Sequence, residues 1–422
     1  MPGATGAFTS AHTDSREVQP GGLFFALKGS AQDGARFVPD AVARGARGVV
    51  VTEPMTLDGV EVIVVEDPWR SLYELAATRL IEAAPLVVGI TGSNGKTSTK
   101  EMLAAILSAR FTVLKTEGNL NTETGVPLTI LRLEPGVHDV IVLELGMQRP
   151  GEIARLAALA RPRIGLVTGI GTVHIEFFDG REGIARAKGE LLQALPHDGV
   201  AVLNADDPLT DLLRELSAAP VTTFGLEGGD YRGEGYSAGS FMVRGVPVRI
   251  SLAGRHQARN AVAALAAGEL AGVPLAEGAA AIASVTVERR LQALPAPGGF
   301  AVVDDAYNAS PESMLAALET VSEIPHEGRL LAVLGEMREL GGLADGAHRE
   351  VGRRAAETLD AFCVVDVGKG RLLAESGGGT LVPDRAAAAQ WVRETARKGD
   401  LVLVKASHGV ALETVVEELL AK

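Results

Sequence analysis

The chain is predicted to be an α/β protein of three domains: a small N-terminal α/β unit, a central parallel-sheet domain with an appended β-hairpin, and a C-terminal α/β sandwich. Three observations predict this. Short continuous apolar runs alternate with helix-period segments along almost the whole sequence, as strands buried between helices do. One such run, Val87-Val88-Gly89-Ile90, feeds a glycine-rich turn and a helix start, Thr91-Gly92-Ser93-Asn94-Gly95-Lys96-Thr97-Ser98-Thr99. The alternation breaks and restarts around Pro295-Ala296-Pro297-Gly298-Gly299, a turn-rich stretch that reads as a linker.

Length and composition bound the rest. At 422 residues the chain exceeds what one core usually organises, so about two to four domains are expected. Apolar residues at 46% and charged residues at 22% mark a globular chain rather than a disordered one. The net charge of −13 argues against wrapping nucleic acid while leaving room for a local cationic pocket. The single cysteine, Cys363, lies in an apolar run and reads as a core residue. The start lacks the basic and apolar regions of a signal peptide, and no apolar run approaches the ~20 residues of a membrane span. A cytoplasmic protein without membrane insertion is expected.

In the first unit, residues 1–84, strands are expected at 23–27, 48–52 and 60–65 and helices at 37–47 and 68–83. Ser15 and Arg16 sit beside Asp14 in an early loop. There Arg16 either holds a diphosphate or base edge or is a solvated surface charge, and the sequence leaves the two open.

The central unit, residues 85–293, carries the chemistry. Glycines let a backbone approach a phosphate, a helix start offers unpaired N–H groups, and Lys96 adds a point charge. Thr97 offers a hydroxyl to magnesium. The glycine spacing departs from the usual P-loop, because Ile90 stands where the first glycine would fall. A helix with Met102, Leu103, Ile106 and Leu107 on one face supports the reading nonetheless. In a parallel sheet, ligands gather at the strands' carboxyl ends. The polar residues after runs 140–143, 164–168 and 200–203 are therefore candidates: Glu144 for magnesium, His174, and Asn204, with a water-facing or structural role as the alternative for each. Lys188, in the helical segment 183–190, reads as a solvated lysine. Residues 231–252 read as the appended hairpin, and 254–260 opens a helix in which Asn260 either recognises a base or packs.

The last unit, residues 294–422, is Rossmann-like, with strands at 300–303, 330–334, 361–365 and 401–404 and helices near 310–321, 347–358, 385–398 and 410–421. No G-x-G-x-x-G follows its first strand. Two polar turns end its strands instead, Asp304-Asp305-Ala306-Tyr307-Asn308-Ala309-Ser310-Pro311 and Gly335-Glu336-Met337-Arg338-Glu339-Leu340-Gly341. They imply a cleft shared with the central domain.

These motifs resemble the Mur ligases of peptidoglycan synthesis. The likeness rests on T-G-S-N-G-K-T, the stretch Leu143-Glu144-Leu145-Gly146-Met147 with Arg149-Pro150-Gly151-Glu152-Ile153, the A-K-G-E of Ala187 to Glu190, and D-D-A-Y-N-A-S-P. It covers all three domains from about Thr13. The branch it resembles joins D-alanyl-D-alanine to UDP-N-acetylmuramoyl-tripeptide; the D-Y-A-H-x-P and D-N-P-R elements of the branch adding the third amino acid are absent. The resemblance implies a P-loop ATPase core using ATP and magnesium, with the acceptor's UDP end on the first domain and the dipeptide on the last. It implies a triphosphate held by Gly92, Ser93, Asn94, Gly95, Lys96, Thr97 and Ser98. Thr97, Glu144 and His174 would serve magnesium, joined by Lys188 as a carbamate. Asn260, Arg290 and Asp305 would contact adenine, phosphate and ribose, Asn308 the dipeptide region, and Ser15, Arg16, Asn121 and Thr122 the acceptor. Catalysis would rest on Lys96, Lys188 and His174. Four patterns are altered: N-A-N-P to N-A-S-P, H-N-x-x-N to His256-Gln257-Ala258-Arg259-Asn260, N-L-N-N to Asn119-Leu120-Asn121-Thr122, and K-G-S-R to Lys405-Ala406-Ser407-His408. A monomer is expected. The competing readings are a neighbouring ligase adding a single amino acid, of Mur or folylpolyglutamate type, and a nucleotide-binding regulator without catalysis.

Overall fold

The computed structural model describes residues 7–29 and 32–421. Three sheets follow one another along the chain. The first is four parallel strands in sequence order, β1 (Ala11–His12), β2 (Leu23–Phe25), β3 (Gly48–Val51) and β4 (Glu61–Val64). The helix Pro68–Ala83 covers it, capped by Asp67, whose side chain accepts from the Trp69 amide. Leu72 of this helix packs on the first sheet and Ala76 and Leu80 on the central domain, so one helix joins two cores.

The central sheet has nine strands: β5 (Leu86–Thr91), β6 (Val113–Lys115), β7 (Val140–Glu144), β8 (Ile164–Val167), β9 (Val200–Asn204), β10 (Val221–Gly225), β11 (Tyr231–Ser237), β12 (Ser240–Val243) and β13 (Val246–Arg249). Their order is β13-β12-β11-β10-β9-β8-β5-β7-β6. Strands β5 and β7 to β9 are short apolar runs because both faces are covered. The helices Lys96–Leu107 and Arg255–Leu270 lie on one face, and Glu152–Ala160 and Gly180–Gln193 on the other. The order reverses beside β5, which places a crevice at its carboxyl end. The appended hairpin is in fact a three-stranded antiparallel meander, β11 to β13, joined through the parallel pair β10 and β11.

The third sheet contains β14 (Gln292–Pro295), β15 (Ala301–Asp304), β16 (Leu330–Leu334), β17 (Ala361–Val365), β18 (Thr380–Val382) and β19 (Leu401–Lys405), in the order β14-β15-β19-β16-β17-β18. The proline- and glycine-rich stretch read as a linker is here the turn of the β14–β15 hairpin, since Gln292 to Pro295 pair antiparallel with Asp304 to Ala301. Cys363 is fully buried in this core, as expected. No helix among the described residues is long and apolar enough to cross a membrane.

Candidate active site

The glycine turn after β5 is shaped by two close approaches. Gly92 has φ 146° and leaves no room for a side chain, because a Cβ there would lie 1.8 Å from Thr168 Oγ1. Thr168 Oγ1 donates to the Asn94 carbonyl at 2.6 Å, pinning the turn to the end of β8. Gly95, at φ 85°, caps the helix Lys96–Leu107 and faces Asn260, whose Oδ1 would be 2.4 Å from an added Cβ. Asn260 is thus beside the phosphate turn, with its Nδ2 donating to Gln257 Oε1 at 3.2 Å. Ser93 Oγ is buried with no hydrogen-bond partner among the described residues, and Ser98 is buried as well. The Lys96 ammonium reaches back to the Gly92 carbonyl at 2.9 Å.

Glu144 ends β7 and is buried. Thr97 Oγ1 donates to its Oε2 at 3.1 Å and Asn121 Nδ2 to its Oε1 at 2.9 Å. Its own amide donates to Thr116 Oγ1, and the Thr116 carbonyl takes the ammonium of the buried Lys100 at 2.7 Å. Thr122 faces Thr124 and the Gly125 amide at the start of the next helix.

Lys188 corrects the sequence reading of a solvated lysine: it is 2% exposed. It shares a helix face with Ile184, Leu191 and Leu192, all fully buried, so helical period carries it inward. Gly189 admits Leu216 against the helix, and Glu190 caps the helix Glu152–Ala160 by accepting from the Gly151 and Ala154 amides. Burial, then the neighbouring Lys96 charge, hold the Lys188 ammonium well below its ordinary value, with Glu144 opposing. Burial likewise lowers Lys96, opposed by Glu144 and reinforced by Arg290. The Glu144 charge thus opposes the lowering of both lysines.

His174 adopts the left-handed region, φ 66°, after the glycine-rich turn that follows β8. Its Nδ1 is bonded to a carboxylate oxygen of Glu339 from the third domain. Burial keeps the imidazole below its usual value, Glu339 opposing, with Lys188 and Lys96 adding to the lowering. Other bonds join the two domains at this edge. Asn94 Nδ2 donates to Ser310 Oγ at 3.2 Å, the Thr172 amide donates to Glu312 Oε1 at 2.8 Å, and the Glu176 amide donates to the Glu339 carbonyl. Ser310 is also the N-cap of the helix Pro311–Glu323. Sequence reasoning assigned no role to Glu312 or Glu339, although both lie in or beside the polar turns singled out after β15 and β16.

Arg290, just before β14, lies over the ring of Tyr307 on the third domain, 4.2 Å from its centroid. Asp305 is buried, its Oδ2 accepting from Lys405 Nζ at 2.6 Å, and Lys405 also donates to the Asn308 carbonyl. Burial lowers Lys405, opposed by Asp305. Asn308 Oδ1 accepts from the His408 amide. Burial pushes His256 down to about 4. Ser15 is buried in the first domain. Arg16 is 80% exposed at its side chain and paired with Asp14, and neither residue shares a hydrogen bond or ion pair with the cluster among the described residues.

The donor set fits magnesium bound beside a triphosphate. Among the described residues no three acidic, histidine or cysteine side chains form a metal cage. Magnesium does not need one, since it keeps several waters and is held through one or two carboxylates plus phosphate oxygens. Glu144 with the Thr97 hydroxyl meets that requirement, and the unpartnered Ser93 hydroxyl awaits an acceptor such as a phosphate oxygen.

Comparison with known proteins agrees with this geometry. The models "Mur ligase family, catalytic domain", "Mur ligase middle domain" and "Mur ligase, glutamate ligase domain" match residues 8–109, 90–268 and 289–408. The UDP-N-acetylmuramoyl-tripeptide--D-alanyl-D-alanine ligase of Bacillus subtilis is 36% identical over 97% of this chain and 92% of its own length. That of Escherichia coli is 35% identical over 99% and 95%. The crystal structure of MurF from Acinetobacter baumannii has a TM-score of 0.89 at 32% identity, covering 99% of this chain and 95% of that one. MurF from Thermotoga maritima in complex with ADP gives 0.83 at 32% identity, over 97% and 96%. A phosphate turn, a strand-end carboxylate and a facing third domain, in a chain similar to these enzymes over nearly its whole length, belong to a member of the Mur ligase family.

Proposed function

We infer that the protein is an ATP-dependent amide ligase joining D-alanyl-D-alanine to UDP-N-acetylmuramoyl-tripeptide, which yields the UDP-muramoyl-pentapeptide of peptidoglycan synthesis. The observation that carries this is the convergence of Lys96, Thr97, Glu144, His174 and Lys188 at one crevice, closed by Ser310, Glu312 and Glu339 of the third domain.

A carboxylate is a poor acyl donor because oxide is a poor leaving group, so amide formation requires activation. The tripeptide's terminal carboxylate oxygen attacks the γ-phosphorus of ATP, ADP leaves, and an acyl phosphate forms. The dipeptide's amine then attacks the acyl carbon and phosphate departs, with loss of a proton from nitrogen. Lys96 and the turn's amides offset charge on the transferring group, which stabilises the transition state more than the ground state. Magnesium, when bound, screens the phosphate charges and fixes their geometry. Glu144 and Thr97 would hold it, with His174 at the edge of the site. Lys188 acts as a carbamate: the neutral form of its buried amine bonds carbon dioxide through nitrogen, loses the displaced N–H proton to solvent, and so carries a carboxylate as an oxygen donor. Asn260 borders the triphosphate turn on the adenine side, Arg290 serves phosphate and Asp305 ribose. Closure of the third domain excludes water, which otherwise hydrolyses the acyl phosphate.

Residues 1–84, Ser15 and Arg16 among them, take the UDP end of the acceptor. The turn carrying Asn121 and Thr122 takes its peptide end, next to a cavity of about 500 Å³ lined by Asp67, Trp69, Arg70, Tyr73, Glu123 and Arg155. Residues 85–293 hold ATP, and residues 294–422 hold the dipeptide near Asn308. The protein is read as a monomer of the cytoplasm. The test supplies ATP, magnesium and UDP-muramoyl-tripeptide, offers D-alanyl-D-alanine and single amino acids in parallel, and weighs the products. The dipeptide mass is expected to be added, and Lys96→Ala to cut ADP release by about 10²–10³-fold. A gain of one amino acid only selects the neighbouring ligase; no ATP-dependent product in any arm selects the regulator.

A further inference from the structure

The cations along the third sheet's carboxyl edge are mostly committed. Lys405 is buried on Asp305, Lys369 is paired with Asp345, and Arg290 lies over Tyr307 with its charge felt by Lys96. Arg338 differs from these. Its Nε donates to Glu336 Oε2 at 3.0 Å, and Glu336 is itself fixed, its Oε1 accepting from the Lys369 amide at 3.0 Å. The Arg338 amide donates to Ser407 Oγ at 2.9 Å. The guanidinium rests on the Gly409 backbone so closely that a Cβ there would lie 2.0 Å from Nη1.

Arg338 is therefore held at its backbone and at Nε, with Gly409 beside Nη1. Its two terminal nitrogens have no acceptor among the described residues, and the side chain is 45% exposed. A guanidinium braced at Nε with its outer N–H groups open is prepared to take a carboxylate through two parallel bonds. The position suits an incoming nucleophile. The next residue, Glu339, takes φ 61° and bonds His174, and Gly409 beside the guanidinium follows His408, whose amide donates to Asn308 Oδ1. An extended dipeptide spans only about 7 Å.

We propose that Arg338 receives the C-terminal carboxylate of the incoming dipeptide and so points its amine toward the activated acyl group. This rests on the dipeptide-ligase reading above. Arg338 is then a specificity residue demanding a free carboxylate, with Glu336 and Ser407 as its positioning partners. A substrate of the same length whose carboxylate is replaced by a neutral amide loses the paired bonds and keeps its nucleophile.

The test compares D-alanyl-D-alanine with D-alanyl-D-alanine amide as acceptors of the acyl group, in the wild-type enzyme and in Arg338→Gln and Arg338→Lys. The wild type is expected to prefer the acid by at least about tenfold in kcat/KM, a preference Arg338→Gln loses. In Arg338→Gln the KM for the acid rises at least about tenfold while kcat at saturation stays within about threefold, and Arg338→Lys recovers part of the loss. KM values for ATP and UDP-muramoyl-tripeptide unchanged within about twofold report an intact fold and a local effect. An Arg338→Gln enzyme that keeps the wild-type KM, or keeps preferring acid over amide, overturns the proposal. A wild type that forms no product from any dipeptide overturns the ligase reading itself, an outcome distinct from a working ligase indifferent to Arg338.

Discussion

At the residue scale, Lys188 shows how burial changes chemistry. An ammonium that is 2% exposed has lost most of its water, and desolvation is the leading cause of its lowered proton affinity. The sign follows directly. The native value lies below the unfolded one near 10.5, so the amine costs stability fully at pH below its native value. That cost fades as pH rises toward 10.5, and the neutral amine that carbon dioxide needs gains population in the same direction. Labelled carbon dioxide is expected to give a carbamate carbon in the ¹³C NMR spectrum that Lys188→Ala lacks, together with a fall in turnover of about 10²-fold or more in that variant. Identical spectra for the two proteins would mean that Lys188 works as an amine. The signal that could have placed this residue inside was available, because Ile184, Leu191 and Leu192 stand three and four positions away; a charge in an apolar stripe was read as solvated on residue type alone.

At the scale of elements, the turn between β5 and the helix Lys96–Leu107 is held open by glycine for two separate reasons, backbone angle and neighbouring atoms. Gly95→Ala meets both, φ 85° and Asn260 Oδ1 at 2.4 Å. It is expected to cost about 1–2 kcal/mol from backbone strain and to weaken ATP binding at least about tenfold, measured by calorimetric titration. Gly151→Ala is the control: it shares φ 85° at a helix cap but has open space around it, so it loses stability of similar size and keeps ATP affinity. Equal ATP affinities in both variants would detach Asn260 from the nucleotide turn. Elements with four or more buried apolar residues in a row were legible in the sequence, as Leu330–Leu334 and Ala361–Val365 show. The strand Thr380–Val382 and the hairpin strand Gln292–Pro295 were not, because three or four residues carrying one proline or one exposed position give no usable period.

At the scale of the whole molecule, the third domain meets the central one through polar contacts, Asn94 to Ser310, Thr172 to Glu312 and His174 to Glu339. Partly exposed polar contacts are individually weak, about 0–1 kcal/mol, which suits an interface that opens to exchange substrates and closes for chemistry. Removing one loosens closure without abolishing it. Glu312→Ala is expected to raise the ratio of ADP released to peptide product from about one to about two or more, as water reaches the acyl phosphate, while kcat falls a few-fold. Quantifying both products in one reaction decides it, and a ratio unchanged from wild type would place water exclusion elsewhere.

The sequence by itself determined the alternation of strands and helices, the phosphate turn and the strand-end position of Glu144, because these depend on local period, glycine placement and the polarity of carboxyl edges. Only the tertiary structure decided that Lys188 is buried, that Arg16 pairs with Asp14, that Asp305 is bound by Lys405, and that Glu312 and Glu339 bond the central domain. Arg16 apart, those facts arise from residues far apart in the chain whose separation closes only when helices stack on the sheets and one domain docks on another.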